Sequence, residues 1–96
     1  MLVVVAYDVK TESPAGRKRL RRVAQTCENY GQRVQKSLFE CLVSGGDWVL
    51  LRHRLLAEFS DKEDNLRFYF LDQTARERVE HHGQGRPVDL MGPLII

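Results

Sequence analysis

Residues 2–6 form an unbroken apolar run, Leu-Val-Val-Val-Ala, that ends in Tyr7 and Asp8. Three β-branched valines predict a strand. A strand apolar at every position is covered on both faces and belongs in the middle of a sheet. The period then changes. Ser13-Pro14 reads as an N-cap followed by proline at the first helical position. Leu20, Val23, Ala24 and Cys27 recur at i, i+3, i+4 and i+7, which predicts a helix running to about Tyr30, capped by Gly31. Residues 33–43 are too long and too mixed for one strand. Two short strands are predicted, at about residues 32–35 and 37–43, with a bend or bulge near Lys36. Ser44-Gly45-Gly46 is a turn, and Asp47 is the expected N-cap of a second helix with Trp48, Leu51, Leu55, Leu56 and Phe59 on its apolar face. After a polar loop at residues 60–65, residues 66–71 alternate. Leu66, Phe68 and Phe70 are expected to face the helices, and Arg67, Tyr69 and Leu71 to face away.

The order is β-α-β-β-α-β. It predicts an α+β, ferredoxin-like fold with an antiparallel sheet and both helices on one face. Ninety-six residues make one domain, with residues 1–72 as its core. Residues 73–96 are the remainder. A single helical turn is expected at residues 74–78, glycines and prolines break up residues 83–93, and the chain closes on Leu94-Ile95-Ile96. Such a tail has no core of its own, so it packs on the open sheet face or pairs with a sheet edge, its own or a partner's.

Charge adds a second layer. The net charge is only +2, but residues 1–36 carry eight Lys/Arg against three acids, and residues 37–96 carry seven against ten. A basic half attracts polyanions such as nucleic acid. Five of the six residues 17–22 are basic (Arg17, Lys18, Arg19, Arg21, Arg22), with no acid four positions on to neutralise them, and Arg33 and Lys36 come next on the adjoining strand. An exposed basic face is most often just solvated. Here it favours salt-sensitive contact with phosphates, without base readout. Cys27 and Cys41 have neither the spacing of a disulfide framework nor that of a zinc site, and buried free thiols are expected. The apolar run is too short to span a membrane and no basic region precedes it, so a cytoplasmic protein is expected.

Asp8 stands where the central strand leaves the core. A carboxylate there must be hydrated, paired or bound to a cation. It is either a loop cap accepting backbone N–H bonds or a ligand for a hard cation such as Mg²⁺ or Mn²⁺. One acid is thin for a metallonuclease, which gathers two or more. A two-fold axis would supply the second, with Asp8 from each of two chains facing the other across one ion. His81 and His82 could be metal ligands or proton carriers, but neighbours on an extended segment point to opposite faces and do not easily share a site, so an exposed pair is expected, and His53 reads as a surface residue. Phe68 and Tyr69 invite a base-stacking reading, but alternating aromatics on a central strand are more often core.

The chain resembles the small CRISPR-associated, nuclease-like family that acts with the CRISPR integrase in spacer acquisition. The likeness covers essentially the whole length. It rests on Tyr7-Asp8-Val9, on the basic residues 17–22, and most on Gly31-Gln32-Arg33-Val34-Gln35-Lys36-Ser37-Leu38-Phe39-Glu40. Asp64-Asn65-Leu66-Arg67-Phe68-Tyr69 also fits. The resemblance implies a ferredoxin-like homodimer whose C-terminal segment adds a strand to the other protomer's sheet, with Asp8 of both chains lining a divalent-metal site. It implies functional roles for Arg17, Arg19, Arg33 and Phe39, with Tyr7 in support; within residues 17–22, Arg21 or Arg22 can hold the role given to Arg19. The expected activity is metal-dependent endonuclease cleavage of single-stranded RNA or double-stranded DNA. The alternative is a non-catalytic dimeric scaffold that holds duplex DNA and bridges integrase subunits. A ribonuclease toxin of the related ferredoxin-like type is a third reading.

Overall fold

In the computed structural model, which describes residues 1–84, the apolar run becomes β1 (Leu2–Asp8), an interior strand of a four-stranded antiparallel sheet. The remaining elements are α1 (Pro14–Glu28), β2 (Gly31–Gln35), β3 (Leu38–Leu42), α2 (Gly45–Glu58), β4 (Asn65–Leu71) and a 3₁₀ helix at Gln73–Arg78. The sheet order is β2-β3-β1-β4, so β1 lies between β3 and β4. Val5 faces Phe39 on one side and Phe68 on the other, and Asp8 is opposite Asn65.

The pleat sorts the strand residues. Val3, Val5, Tyr7, Phe39 and Cys41 join Leu20, Val23, Ala24 and Cys27 of α1 and Leu51 and Leu55 of α2 in one core. Both helices therefore cover the same face, as the ferredoxin-like order predicts. Trp48 is wedged edge-on against Phe68 and Phe70, with ring centroids 4.8 and 5.2 Å apart, and ties α2 to β4. The other face carries Val4, Ala6, Leu38 and Leu42, all half-buried, with Tyr69 and Leu71 exposed. Cys27 and Cys41 are buried free thiols, as expected.

Several local expectations change. Ser13 caps α1, accepting from Gly16 N–H at 3.0 Å, but the helix ends at Glu28 with Asn29 as a right-handed cap. Gly31 instead opens β2, where a Cβ would meet the Glu40 carbonyl oxygen at 2.1 Å and Cys41 Cα at 2.6 Å. Close strand approach, not helix capping, requires this glycine. Ser44 rather than Asp47 caps α2; Asp47 lies in the first turn, donates its N–H to Ser44 Oγ at 3.1 Å, and offers a negative charge to the helix N-terminus. Leu56 is exposed rather than packed. The bend near Lys36 is the turn at Lys36-Ser37 that joins β2 to β3, and the register irregularity falls just before it, between Arg33 and Gln35. β4 is an edge strand among the described residues: Phe68 packs against the core as expected, Tyr69 is instead 45% exposed on the open face, and Phe70 reaches Trp48 on the helix face but stays 57% exposed. The strand-adding tail expected from the resemblance falls largely on residues 85–96, outside the described residues.

Gly31→Ala is expected to lose about 2–3 kcal/mol, because backbone must move to admit the methyl. Gly46→Ala, where nothing lies within 4 Å, is expected to gain up to about 1 kcal/mol of helix propensity. Guanidinium unfolding of the two variants checks the pair; equal stabilities would contradict the packing described.

Candidate functional site

Asp8 is the last residue of β1 and its side chain is exposed. It borders an open depression of about 450 Å³ lined by Ala6, Tyr7, Gln35, Ser37, Leu38, Asn65 and Arg67. Tyr7 N–H donates to the Ser37 carbonyl at 3.0 Å, which carries the β1–β3 pairing one step further and holds Ser37 beside the strand end. The oxygen donors here are one carboxylate, one hydroxyl and two amide side chains, a hard set that suits Mg²⁺ or Mn²⁺. No group of three His, Cys, Asp or Glu side chains is assembled for a metal among the described residues. One chain thus contributes one carboxylate and neutral oxygens, which fits half of a cation site.

Tyr7 points the other way, into the helix-covered face. Its hydroxyl donates to Asp64 Oδ2 in a short hydrogen bond. Arg19 grips the same carboxylate with both edges of its fork, Nε to Oδ2 at 2.9 Å and Nη2 to Oδ1 at 3.0 Å, and the Ser60 N–H adds a bond of 2.9 Å. The Asp64 side chain is 0% exposed and that of Arg19 is 18%. Burial pushes the Asp64 carboxyl up, but the bonds from Arg19, Tyr7 and the Ser60 N–H outweigh it and hold the group below its usual range. Burial, then the bond to Asp64, moves the Tyr7 phenol above its ordinary value.

The expected basic face divides accordingly. Arg19 is committed to Asp64 and also reaches Glu63 at 3.0 Å. Arg22 lies 3.7 Å from Glu58. Arg17, Arg21 and Arg33 come together around a second depression of about 210 Å³, with Leu20, Ala24, Gln25 and Glu28. Arg17 Nη1 also donates to the Thr11 carbonyl at 2.9 Å, which secures the loop after β1. Arg33 Nε donates to the Lys36 carbonyl at 2.8 Å, and the guanidinium lies 5.7 Å from the ring centroid of buried Phe39, its cross-strand neighbour. Phe39 therefore supports Arg33 from beneath, as a platform. Asp8 and the arginine depression are separate features, not one cluster.

Sequence reasoning missed Asp64 and Arg67 as site residues. Asp64 meets Arg19 across 45 positions, a separation with no periodic signature. Arg67 was legible as facing away from the helices, but its place beside Asp8 depends on the β1–β4 register.

An antiparallel α+β domain with a lone acid at the mouth of its interior strand and a separate arginine depression has the build of a small nucleic-acid-processing protein. The sequence model of the family described as CRISPR associated protein Cas2 matches residues 1–79, and the chain belongs to that family. A relative named CRISPR-associated endoribonuclease Cas2, from Chlorobaculum tepidum, is 60% identical over 96 residues, covering all of both chains. One named CRISPR-associated endonuclease Cas2, from Halalkalibacterium halodurans, is 46% identical over 95 residues, 99% of each. The crystal structure of Streptococcus pyogenes Cas2 at pH 6.5 is similar with a TM-score of 0.81 and 53% identity, over 86% of this chain and 100% of that one.

The Tyr7–Asp64–Arg19 cluster has a defined pH signature. The depressed Asp64 contributes stability above its unfolded value, about pH 4, and loses it as pH falls. The raised Tyr7 contributes below its unfolded value, about pH 10, and loses it as pH rises. Asp64→Asn is expected to cost about 2–3 kcal/mol near neutral pH, with the deficit against wild type narrowing progressively below about pH 4. Urea unfolding across that range measures it. A deficit independent of pH would mean that the carboxylate charge is not what holds the cluster.

Proposed function

We propose that the chain is a metal-dependent endonuclease of CRISPR adaptation, acting as a homodimer in which Asp8 of two copies shares one Mg²⁺ or Mn²⁺ ion. The observation that carries this reading is the exposed carboxylate of Asp8, set among hard oxygen donors with no second acid lining its depression among the described residues. The ion, when bound, supplies Lewis-acid activation of water and charge neutralisation at phosphorus. The chain's own residues do the rest. Asp8 anchors and orients; Ser37 and Asn65 border the same depression. Arg17, Arg21 and Arg33 hold the backbone of the bound strand, with Arg22 at the margin. Arg19 acts through Asp64 and Tyr7 to fix the strand end. The uncovered sheet face beyond the Asp8 depression, with Val4 and Leu42, is the surface we assign to the second copy. The names of the relatives support cleavage of RNA in one case and leave the nucleic acid open in the other.

A second reading is supported by the separation of the two depressions. Duplex binding through Arg17, Arg21 and Arg33 does not require Asp8, so the dimer can also serve as a scaffold that holds spacer DNA against the CRISPR integrase.

Asp8→Asn is expected to abolish Mg²⁺-dependent cleavage of labelled RNA and duplex DNA while leaving the thermal unfolding midpoint near wild type. Cleavage at the wild-type rate would sink the endonuclease reading. Arg17→Gln with Arg21→Gln is expected to weaken oligonucleotide binding for all sequences alike and to flatten the log-affinity against log-salt slope by about two. Fluorescence anisotropy over a salt series reads this, and an unchanged slope would remove these arginines from the interface.

A further inference from the structure

We infer that Arg67 is the phosphate-binding cation of the Asp8 site, its guanidinium taking the reacting phosphodiester of a nucleic-acid strand beside the cation that the Asp8 carboxylate would hold. The inference rests on the endonuclease reading of Asp8 and extends it to a residue outside the basic helix.

The five arginines expected to bind backbone are not at Asp8. Three border the other depression and two face acids of the α2–β4 region. Among the described residues, Arg67 is the one cation that lines the Asp8 depression. The register explains why. Asp8 is opposite Asn65 and Ala6 is opposite Arg67, so Asp8 and Arg67 are diagonal neighbours on the same sheet face. Diagonal neighbours of an antiparallel pair stand roughly 7–8 Å apart, too far for direct contact of the backbone but within reach of a long side chain. No ion pair joins the two among the described residues. The floor between them is the methyl group of Ala6, with Leu38 across on β3. An acid and a guanidinium on one face, unjoined, with a short side chain between them, leave room for a phosphodiester that the guanidinium binds directly and that Asp8 meets only through its cation.

The guanidinium suits that group. It is exposed, and its one hydrogen bond among the described residues runs from Nη1 to the Tyr69 hydroxyl at 3.2 Å. Tyr69 is two residues on and on the same face, so the bond steers the guanidinium along the sheet and leaves the rest of the fork for a ligand. A planar fork of this kind binds two phosphate oxygens at once and offsets the charge that develops on them in hydrolysis. Arg67 is a catalytic residue in this arrangement, because it touches the reacting group, whereas Arg17, Arg21 and Arg33 hold the strand elsewhere.

The test has a catalytic arm and a binding arm. In Mg²⁺ with a labelled single-stranded RNA, Arg67→Gln is expected to lower kcat about 10²- to 10³-fold with little change in KM, and Arg67→Lys to recover part of the loss. Arg17→Gln raises KM instead. In EDTA, where a metal-dependent enzyme does not turn over, the Nε–Hε resonance of Arg67, assigned by its absence in Arg67→Lys, is expected to shift on titration with a ten-nucleotide RNA. Both variants are expected to keep the wild-type unfolding midpoint and the wild-type mass by size-exclusion light scattering. Wild-type cleavage with a silent Arg67 resonance and full activity in Arg67→Gln overturns the inference and leaves the endonuclease reading standing. A shifting resonance in a protein that cleaves neither RNA nor DNA overturns the endonuclease reading and keeps Arg67 as a phosphate ligand. If Arg67→Gln falls to a lighter species, the side chain serves the contact between copies and the inference is wrong.

Discussion

The Asp64 carboxylate is the constraint on which the rest of the structure depends. It is fully buried, and an unpaired charge in that position would be prohibitive. Four hydrogen bonds, from Tyr7, the two edges of Arg19, and the Ser60 N–H, satisfy both oxygens. Those donors come from β1, α1 and the turn after α2. Asp64 itself immediately precedes β4. One carboxylate thereby fixes the start of β4 against the end of β1, and with it the pairing of Asp8 with Asn65. Tyr7 and Asp8 are adjacent and point to opposite faces, so the cluster grips the strand from inside at the point where Asp8 emerges outside.

The same cluster redistributes the charge. Along the sequence, the N-terminal third is strongly basic and the remainder acidic. In three dimensions the acids at 58, 63 and 64 fold back onto α1 and face Arg22 and Arg19. The surface left for a polyanion is narrower than the sequence suggests: Arg17, Arg21 and Arg33 around one depression, and Arg67 at another. A field built from a few cations at defined positions, Arg33 among them with Glu28 4.0 Å away, can orient a strand, where a uniformly basic face would only attract it.

Much of this was legible in the sequence. The apolar run at residues 2–6, the 3.6-residue stripe on α1 and the alternation on β4 each carry a period that a single burial mode imposes, and together they set the ferredoxin-like order. Ser13-Pro14 marked the helix start because its capping chemistry is local. Gly31 and Asp47 misled for the converse reason: both residue types fit caps, but close strand approach claimed one and Ser44 took the other role. Asp8 stood out because an acid ending a fully apolar strand is anomalous. Arg19 did not separate itself from its basic neighbours, since its partner lies 45 residues away and only the closed fold brings the two together.

Asp8 forms half of the proposed cation site, and a second copy of the chain completes it. Manganese binding read by electron paramagnetic resonance at known protein concentration tests this most directly, without reference to turnover. The expected result is one tightly bound Mn²⁺ for every two chains, lost in Asp8→Asn while that variant keeps the mass of the wild-type assembly. One Mn²⁺ per chain, or binding unchanged by Asp8→Asn, would contradict it.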